Sequence, residues 1–253
     1  MVVSNEQTDL PTLGVFNSGK AALRNVCDVT LQNIPKLTEL TLRSAFMGVK
    51  MLRMENASML ETNDELLEKK KNTDILLKEQ EEKRARREKG IVMDAEDLNL
   101  LPSEVKSISV NACDDYDKEV LDLSRFMELE TLTIGNGCFN KVNKVSVVGL
   151  SKLRSVVVGE NCFTNESVDT ELVLRNCPAL QELQIGNQSF FYFWSFKMEE
   201  LRALETMQIG SKCFVNACLN VSGLNRLQAM RLGEWSFTNS YHTVIQGDEW
   251  RRA

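Results

Sequence analysis

The residue types that carry most enzyme chemistry are thinly spread in this chain. Histidine occurs once, at His242, so a His-based relay or a multi-histidine metal site lacks its parts. The ordinary reading of His242 is a surface or edge residue. The seven cysteines form no Cys-x-x-Cys pair and stand near no histidine cluster, so neither a zinc site nor a disulfide framework is indicated. A reducing compartment fits them best. The densest acidic run, Asp114-Asp115-Tyr116-Asp117, lacks the alternation and glycine of a calcium loop and reads as a polar corner. No GxxxxGK[ST] loop, GxGxxG turn or GxSxG elbow is present. The expectation is a protein without catalytic residues, cofactor or metal.

Its 253 residues are 43% hydrophobic, enough for a sizeable core, and the net charge of -6 argues against neutralising a phosphate backbone. Nucleic acid is therefore an unlikely partner by charge. Met1 to Leu10 has neither a basic start nor an apolar run, and no segment offers about 18 uninterrupted apolar residues, so no secretory signal or membrane span is expected. A cytoplasmic location follows as an expectation.

Self-comparison reveals what organises these residues. A pattern of 19 positions recurs from Leu121 to Phe139, Val145 to Phe163, Leu172 to Phe190, Phe196 to Phe214 and Leu219 to Phe237. Apolar residues fill positions 1, 3, 9, 12 and 14, and position 6 more loosely; glycine holds position 15, a small residue 18 and phenylalanine 19. Position 9 is always leucine (Leu129, Leu153, Leu180, Leu204, Leu227). Position 15 is always glycine (Gly135, Gly159, Gly186, Gly210, Gly233). Successive phenylalanines are 24, 27, 24 and 23 residues apart. An earlier copy runs through Val29, Leu31, Ile34, Leu37, Leu40 and Leu42 to Phe46, one residue short. A degraded copy around Leu98 to Tyr116 keeps Val105, Ile108 and Val110 but lacks the glycine and phenylalanine.

Alternation at positions 1 and 3, and again at 12 and 14, predicts two short strands per repeat, each with one face buried. The spacing of three through positions 3, 6, 9 and 12 suits a tight 3₁₀-like bend. Glycine after the second strand permits either a positive φ or a close backbone approach. The phenylalanines plug the corner as a ladder, and Cys138, Cys162, Ser189, Cys213 and Ser236 before them read as small buried spacers.

The run LxxLxIGxxxF, as in LETLTIGNGCF, LQELQIGNQSF and LETMQIGSKCF, resembles leucine-rich repeats of the variant type abundant in unicellular eukaryotes, and is similar to the repeats of the bacterial surface antigen class. The likeness covers about 98 to 237 well and 29 to 46 less well. It lacks the asparagine ladder of the commonest type, glycine standing near that place. The resemblance implies a curved solenoid used for protein recognition, with no catalysis in the repeat.

The fold expected is therefore mainly β: a leucine-rich-repeat-like solenoid with two short strands per coil of 23 to 27 residues, interrupted by one long charged helix. The organisation expected is an N-terminal segment or cap (1-28), a first repeat (29-50), a charged helical insertion and linker (51-97), the repeat solenoid (98-240), and a truncated coil or minimal cap (241-253). The helix is read from Glu61 to Lys89, which holds nine acidic and nine basic residues and no proline or glycine. Its apolar residues, Leu66, Leu67, Ile75, Leu76 and Leu77, are too few for a sustained heptad seam. Lys83 to Lys89 leaves nuclear import open, although such a run is ordinarily the basic end of a charged helix.

A partner would meet the outward residues of the second strands: Ser109, Thr133, Val157, Gln184, Gln208 and Arg231, flanked by Ser107, Thr131, Ser155, Glu182, Thr206 and Ala229. The aromatic run Phe190 to Phe196 is assigned to the 27-residue interval, with Tyr192 and Trp194 as candidates for an exposed patch. The functional expectation is a non-enzymatic scaffold or adaptor that binds a protein on this face. The alternative is a structural repeat protein that self-associates through uncapped ends, "SYHTVIQ" beginning a coil that is not completed.

Overall fold

Period-two alternation buries one face of a strand, and the regular repeat brings equal strands side by side. The computed structural model describes residues 2-4, 15-17, 28-33, 39-41, 51-56, 64-113 and 115-246, in two compact units, Met1–Glu82 and Lys83–Ala253.

In the second unit each of the five clear repeats adds one strand to each of two sheets. The first strands are β8 (Val120–Asp122), β10 (Lys144–Val148), β12 (Glu171–Arg175), β14 (Ser195–Glu199), β16 (Cys218–Ser222) and β18 (Thr243–Gln246), which form a six-stranded sheet. The second strands are β7 (Ser107–Val110), β9 (Thr131–Ile134), β11 (Ser155–Val158), β13 (Glu182–Ile185), β15 (Thr206–Ile209) and β17 (Ala229–Leu232). With β6 (Ile91–Val92) they make seven. All neighbours are parallel and in repeat register: Leu121 lies beside Val145, then Leu172, Phe196 and Leu219. Leu132, Val156, Leu183, Met207 and Met230 form the matching row on the other sheet. The protein is thus mainly β, with parallel strands in a repeat-like architecture.

Between the strands, Leu129 N donates to Phe126 O (3.0 Å), Leu153 to Leu150 (3.2 Å), Leu180 to Cys177 (3.1 Å) and Leu204 to Leu201 (3.1 Å). These i to i+3 bonds are the 3₁₀-like bend that the spacing predicts. The side chains at positions 6 and 9 of these four repeats are almost wholly buried.

The glycine column resolves the two options left by the sequence in favour of close approach. Each glycine N–H donates to the last second-strand carbonyl of the preceding repeat, as Gly186 does to Val158 O (2.8 Å) and Gly210 to Ile185 O (2.8 Å). A Cβ on Gly186 would lie 2.5 Å from Gly159 C and 2.6 Å from its oxygen. The left-handed conformation falls instead on Phe139, Phe163, Phe190, Phe214 and Phe237, whose φ values run from 51° to 61°. Their rings stack at centroid distances of 5.3, 4.5, 5.0 and 5.3 Å. Tyr116 packs edge-on against Phe139 at 5.2 Å, so the degraded repeat does supply an aromatic to the ladder.

The small residues at position 18 are more than spacers. Ser189 Oγ donates to Gly159 O (2.7 Å) and accepts from Cys162 N (3.0 Å). Ser236 does the same with Gly210 O (2.6 Å) and Cys213 N (3.2 Å). Cys162 and Cys213 thiols point at Gly135 O (3.0 Å) and Gly186 O (3.1 Å), which is why cysteine and serine interchange here.

The first unit holds β1 (Val2–Ser4), β3 (Asp28–Gln32) and β5 (Met51–Glu55) in one parallel sheet, and β2 (Val15–Asn17) with β4 (Glu39–Thr41) in another. Two expectations change. Strand β1 pairs with β3 inside the segment expected to be a cap, and β5 continues the repeat past residue 50, where an insertion was expected. Val29 pairs with Leu52 and Leu31 with Met54, and the residues that follow, Asn33 and Asn56, share positive φ values of 55° and 49°. Ile34, Leu37, Leu42, Phe46, Asp114 and residues 247-253 lie outside the described residues.

Helix α1 spans Asp64–Glu88, close to the expected limits. In the first unit, its buried Thr73 accepts a hydrogen bond from Leu52 N (2.7 Å), on the edge of β5 away from β3. The unit boundary at Glu82 falls inside this helix. In the second unit, Arg87 Nε bonds Asp97 Oδ1 (2.7 Å), and Met93 N bonds Asp97 Oδ2 (3.1 Å). Asp97 belongs to α2 (Ala95–Asn99), which Asp94 caps by accepting from Asp97 N (2.7 Å). Lys83 and Arg87 also pair with Glu96, and Arg84 with Glu88, so most of the basic run is engaged locally.

The long interval is also placed differently. The extra residues lie between Phe163 and β12, in 164-170, and the aromatic run belongs to the following 24-residue interval.

Two stability outcomes follow. Gly186→Ala should lower the denaturation free energy by about 2 to 4 kcal/mol, because backbone and not a flexible side chain blocks the added methyl. Gly137→Asn, at φ 71° with open space around it and with Asn161 in the matching place, should cost under about 1 kcal/mol. Chemical denaturation midpoints of both decide. Asp97→Ala should cost about 3 kcal/mol by the same measurement, since the largely buried guanidinium loses its closer carboxylate, keeping only the exposed Glu96, and Met93 N loses its acceptor; a change within about 0.5 kcal/mol would show that the pair contributes little.

Candidate interaction face

The register that aligns the core also aligns what faces outward. Ser109 pairs with Thr133, Thr133 with Val157, Val157 with Gln184, Gln184 with Gln208, and Gln208 with Arg231. All six predicted residues therefore form one continuous column. Thr133, Gln184, Gln208 and Arg231 are exposed, whereas Ser109 and Val157 are half-buried. The short strand β6 extends the column by placing Ile91 beside Ser109.

The column divides by side-chain reach. Its first three rows carry small residues, and Thr131 Oγ1 donates to Ser107 Oγ (2.8 Å) along the stack. The last three carry Glu182, Gln184, Thr206, Gln208, Ala229 and Arg231, with Gln184 Nε2 bonded to Glu182 Oε1 (2.5 Å). A flat hydroxyl-lined half thus adjoins a half with longer amide and guanidinium groups. Along one margin runs a ladder that the sequence reading missed. Asn136 Oδ1 accepts from Glu160 N (2.8 Å), Glu160 Oε1 from Asn187 Nδ2 (2.9 Å), and Asn187 Oδ1 from Ser211 N (2.8 Å). It sits one residue after the glycine column, where the sequence shows only mixed polar residues.

The outer face of the first-strand sheet differs in kind. There Lys144 pairs with Asp169 (2.6 Å), Lys197 with Glu171, and Arg175 with Glu199 (3.9 Å). Its charges are matched by neighbours within the fold. The second-strand face offers mainly uncharged donors and acceptors.

Tyr192 and Trp194 do not join the column. They lie in the connection from Phe190 to β14, at the entry to the other sheet. Phe193 is buried edge-on against Phe190 at 4.9 Å, and Phe191 packs on Tyr192 at 4.7 Å. Trp194 alone of this run is exposed, at 44%. A hydrogen bond with Glu166 raises the Tyr192 hydroxyl above its ordinary pKa.

His242 is exposed in the turn before β18, and Asp115 Oδ1 accepts from Ala95 N (2.9 Å), a role at the start of α2. Among the described residues, no group of three histidine, cysteine or acidic side chains is placed to hold a metal, and no helix is long and apolar enough to cross a membrane. The void between the sheets is about 20 Å³ and lined by aliphatic and phenylalanine side chains, too small for a ligand. Comparison with protein-family models, curated proteins and solved structures finds no match.

Burial raises the pKa of the Cys162, Cys177 and Cys213 thiols, the last to about 11. Because the folded value for Cys213 lies above its ordinary 9.0, its contribution to stability is complete below pH 9 and declines as pH rises toward 11. Cys213→Ser, which copies Ser189 and Ser236 of the same column, should flatten the fall of the denaturation midpoint across that window. An equally steep fall in the variant would assign the loss to other groups.

Proposed function

We propose that the second unit is a leucine-rich-repeat-like solenoid and acts as a non-enzymatic scaffold or adaptor, binding a protein partner on the second-strand face. The observation that carries this reading is the unbroken, in-register column from Ser109 to Arg231 on a sheet whose backbone is held from both sides. Such a surface presents side chains at fixed spacing, so recognition needs little ordering of the binder. A reducing, cytoplasmic setting agrees with thiols used as buried hydrogen-bond donors.

Affinity capture from a native lysate tests the face. Changing Gln184, Gln208 and Arg231 together to alanine should weaken recovery of the specific partner by about tenfold or more, with the thermal midpoint unchanged. Changing Ser146 and Asn220 on the opposite face should leave recovery intact. Equal loss from both sets, or from neither, sinks the assignment.

The self-associating reading has one observation in its favour. In the last repeat Leu232 is 46% exposed and Leu227, Met230 and Phe237 are only partly buried, beside Ile245 at 59% and Trp235 at 65%. Light scattering across a concentration series separates the two: a constant monomer mass leaves the scaffold reading alone.

A further inference from the structure

The six-stranded sheet lacks a strand that its companion has. In the repeat containing β7, the segment that should supply a first strand folds as α2, so β8 pairs with β10 on one side and, among the described residues, with no strand on the other. Glu119 O and Leu123 N bond to the β10 side, accepting from Lys144 N (3.0 Å) and donating to Ser146 O (3.2 Å). By the alternation of a parallel ladder, Val120 and Asp122 turn their backbone groups away from β10. Tyr116 Oη reaches the Val120 carbonyl at 3.0 Å. Among the described residues no strand pairs with the Val120 and Asp122 amides or the Asp122 carbonyl.

A cleft of about 290 Å³ lies along this edge, walled by the end of α2, Tyr116 and β8. Two cations line it. Arg125 Nη2 bonds the carbonyls of Leu98 (2.7 Å) and Asn99 (3.2 Å), and Lys118 Nζ bonds Asn99 Oδ1 (2.9 Å). Neither has a carboxylate partner among the described residues, whereas Lys106, Lys144, Lys152, Arg175, Lys197 and Arg202 do.

We propose that this cleft takes an extended peptide segment of a partner protein, added as a strand on β8 and carrying a carboxylate toward Lys118 and Arg125. The vacant edge supplies main-chain pairing, the ordinary source of affinity in strand addition, and the two cations supply the side-chain preference. This site lies on the sheet opposite to the proposed interaction face, so its test is separate.

The probe is a synthetic peptide copying residues 167-175, SVDTELVLR, which is strand-forming and acidic. Hydrogen exchange on the full chain should show protection of the Val120 and Asp122 amides when it is added. Val120→Pro removes one outward N–H while sparing the bonds to β10, and should weaken binding by about tenfold or more. Lys118→Glu, an exposed change that does not threaten folding, should weaken it similarly, as should D169N with E171Q in the peptide. The triple change at Gln184, Gln208 and Arg231 should leave it unaltered. Absence of protection at Val120 and Asp122, or equal binding by the amidated peptide, overturns the proposal. So does a concentration-dependent dimer abolished by Val120→Pro, which would make a second copy of the chain the occupant.

Discussion

The constraint on which the second unit depends is that each repeat is hydrogen-bonded through its backbone to the repeats on both sides, like position to like. At the exit of the second strand this contact is closest: the glycine N–H reaches the preceding repeat at 2.7 or 2.8 Å throughout. At Gly159, Gly186, Gly210 and Gly233 a side chain has no room, so glycine is required there by contact and not by torsion. Once the chain is that close, the residue at position 18 is pressed against the glycine carbonyl of the neighbouring repeat. It must therefore be small and able to donate, as serine and cysteine are.

The corner that follows is built against local preference. A left-handed conformation at a bulky residue costs about 1 to 2 kcal/mol, yet five phenylalanines adopt it. Two features offset the strain. The N–H groups of Phe163, Phe190 and Phe237 find the carbonyl at position 18 of the preceding repeat, at 3.1, 2.9 and 3.2 Å. The rings also stack nearly parallel from Phe139 to Phe237, a contact that exists only between repeats. Strain is local and relief is collective, as expected where no single repeat can bury its own apolar surface.

This division decides what the sequence made legible. Strand positions were readable because burial imposes period two on residue type, and the outward column followed because the stretch from first strand to phenylalanine keeps the same 19 positions in every clear copy. The torsions were not, since phenylalanine gives no compositional sign of a positive φ. Nor was β5, whose Leu52 and Met54 are too short an alternation to stand out before α1. The missing first strand before β8 is explained locally: Asp94 and Asp97 supply the cap of a helix, and that signal prevails over a weak strand pattern. The residues of the candidate column lie beside one another in register. The aromatic candidates were assigned to the wrong interval although the spacing places them: the 27-residue interval runs from Phe163 to Phe190 and ends where the aromatic run begins.

The same distinction separates the two proposed modes of recognition on one unit. Across the second-strand face the backbone is already paired, so a partner there can be chosen only through side chains such as Gln184, Gln208 and Arg231, and discrimination depends on matching fixed polar groups. At β8 the side chains are few and the backbone is open on one side, so attraction is general to extended segments and selectivity rests on Lys118 and Arg125. An open strand edge is a hazard unless something covers or charges it. Tyr116, Lys118 and Arg125 do so here without closing the cleft, an arrangement that excludes casual pairing while leaving room for a segment of complementary charge.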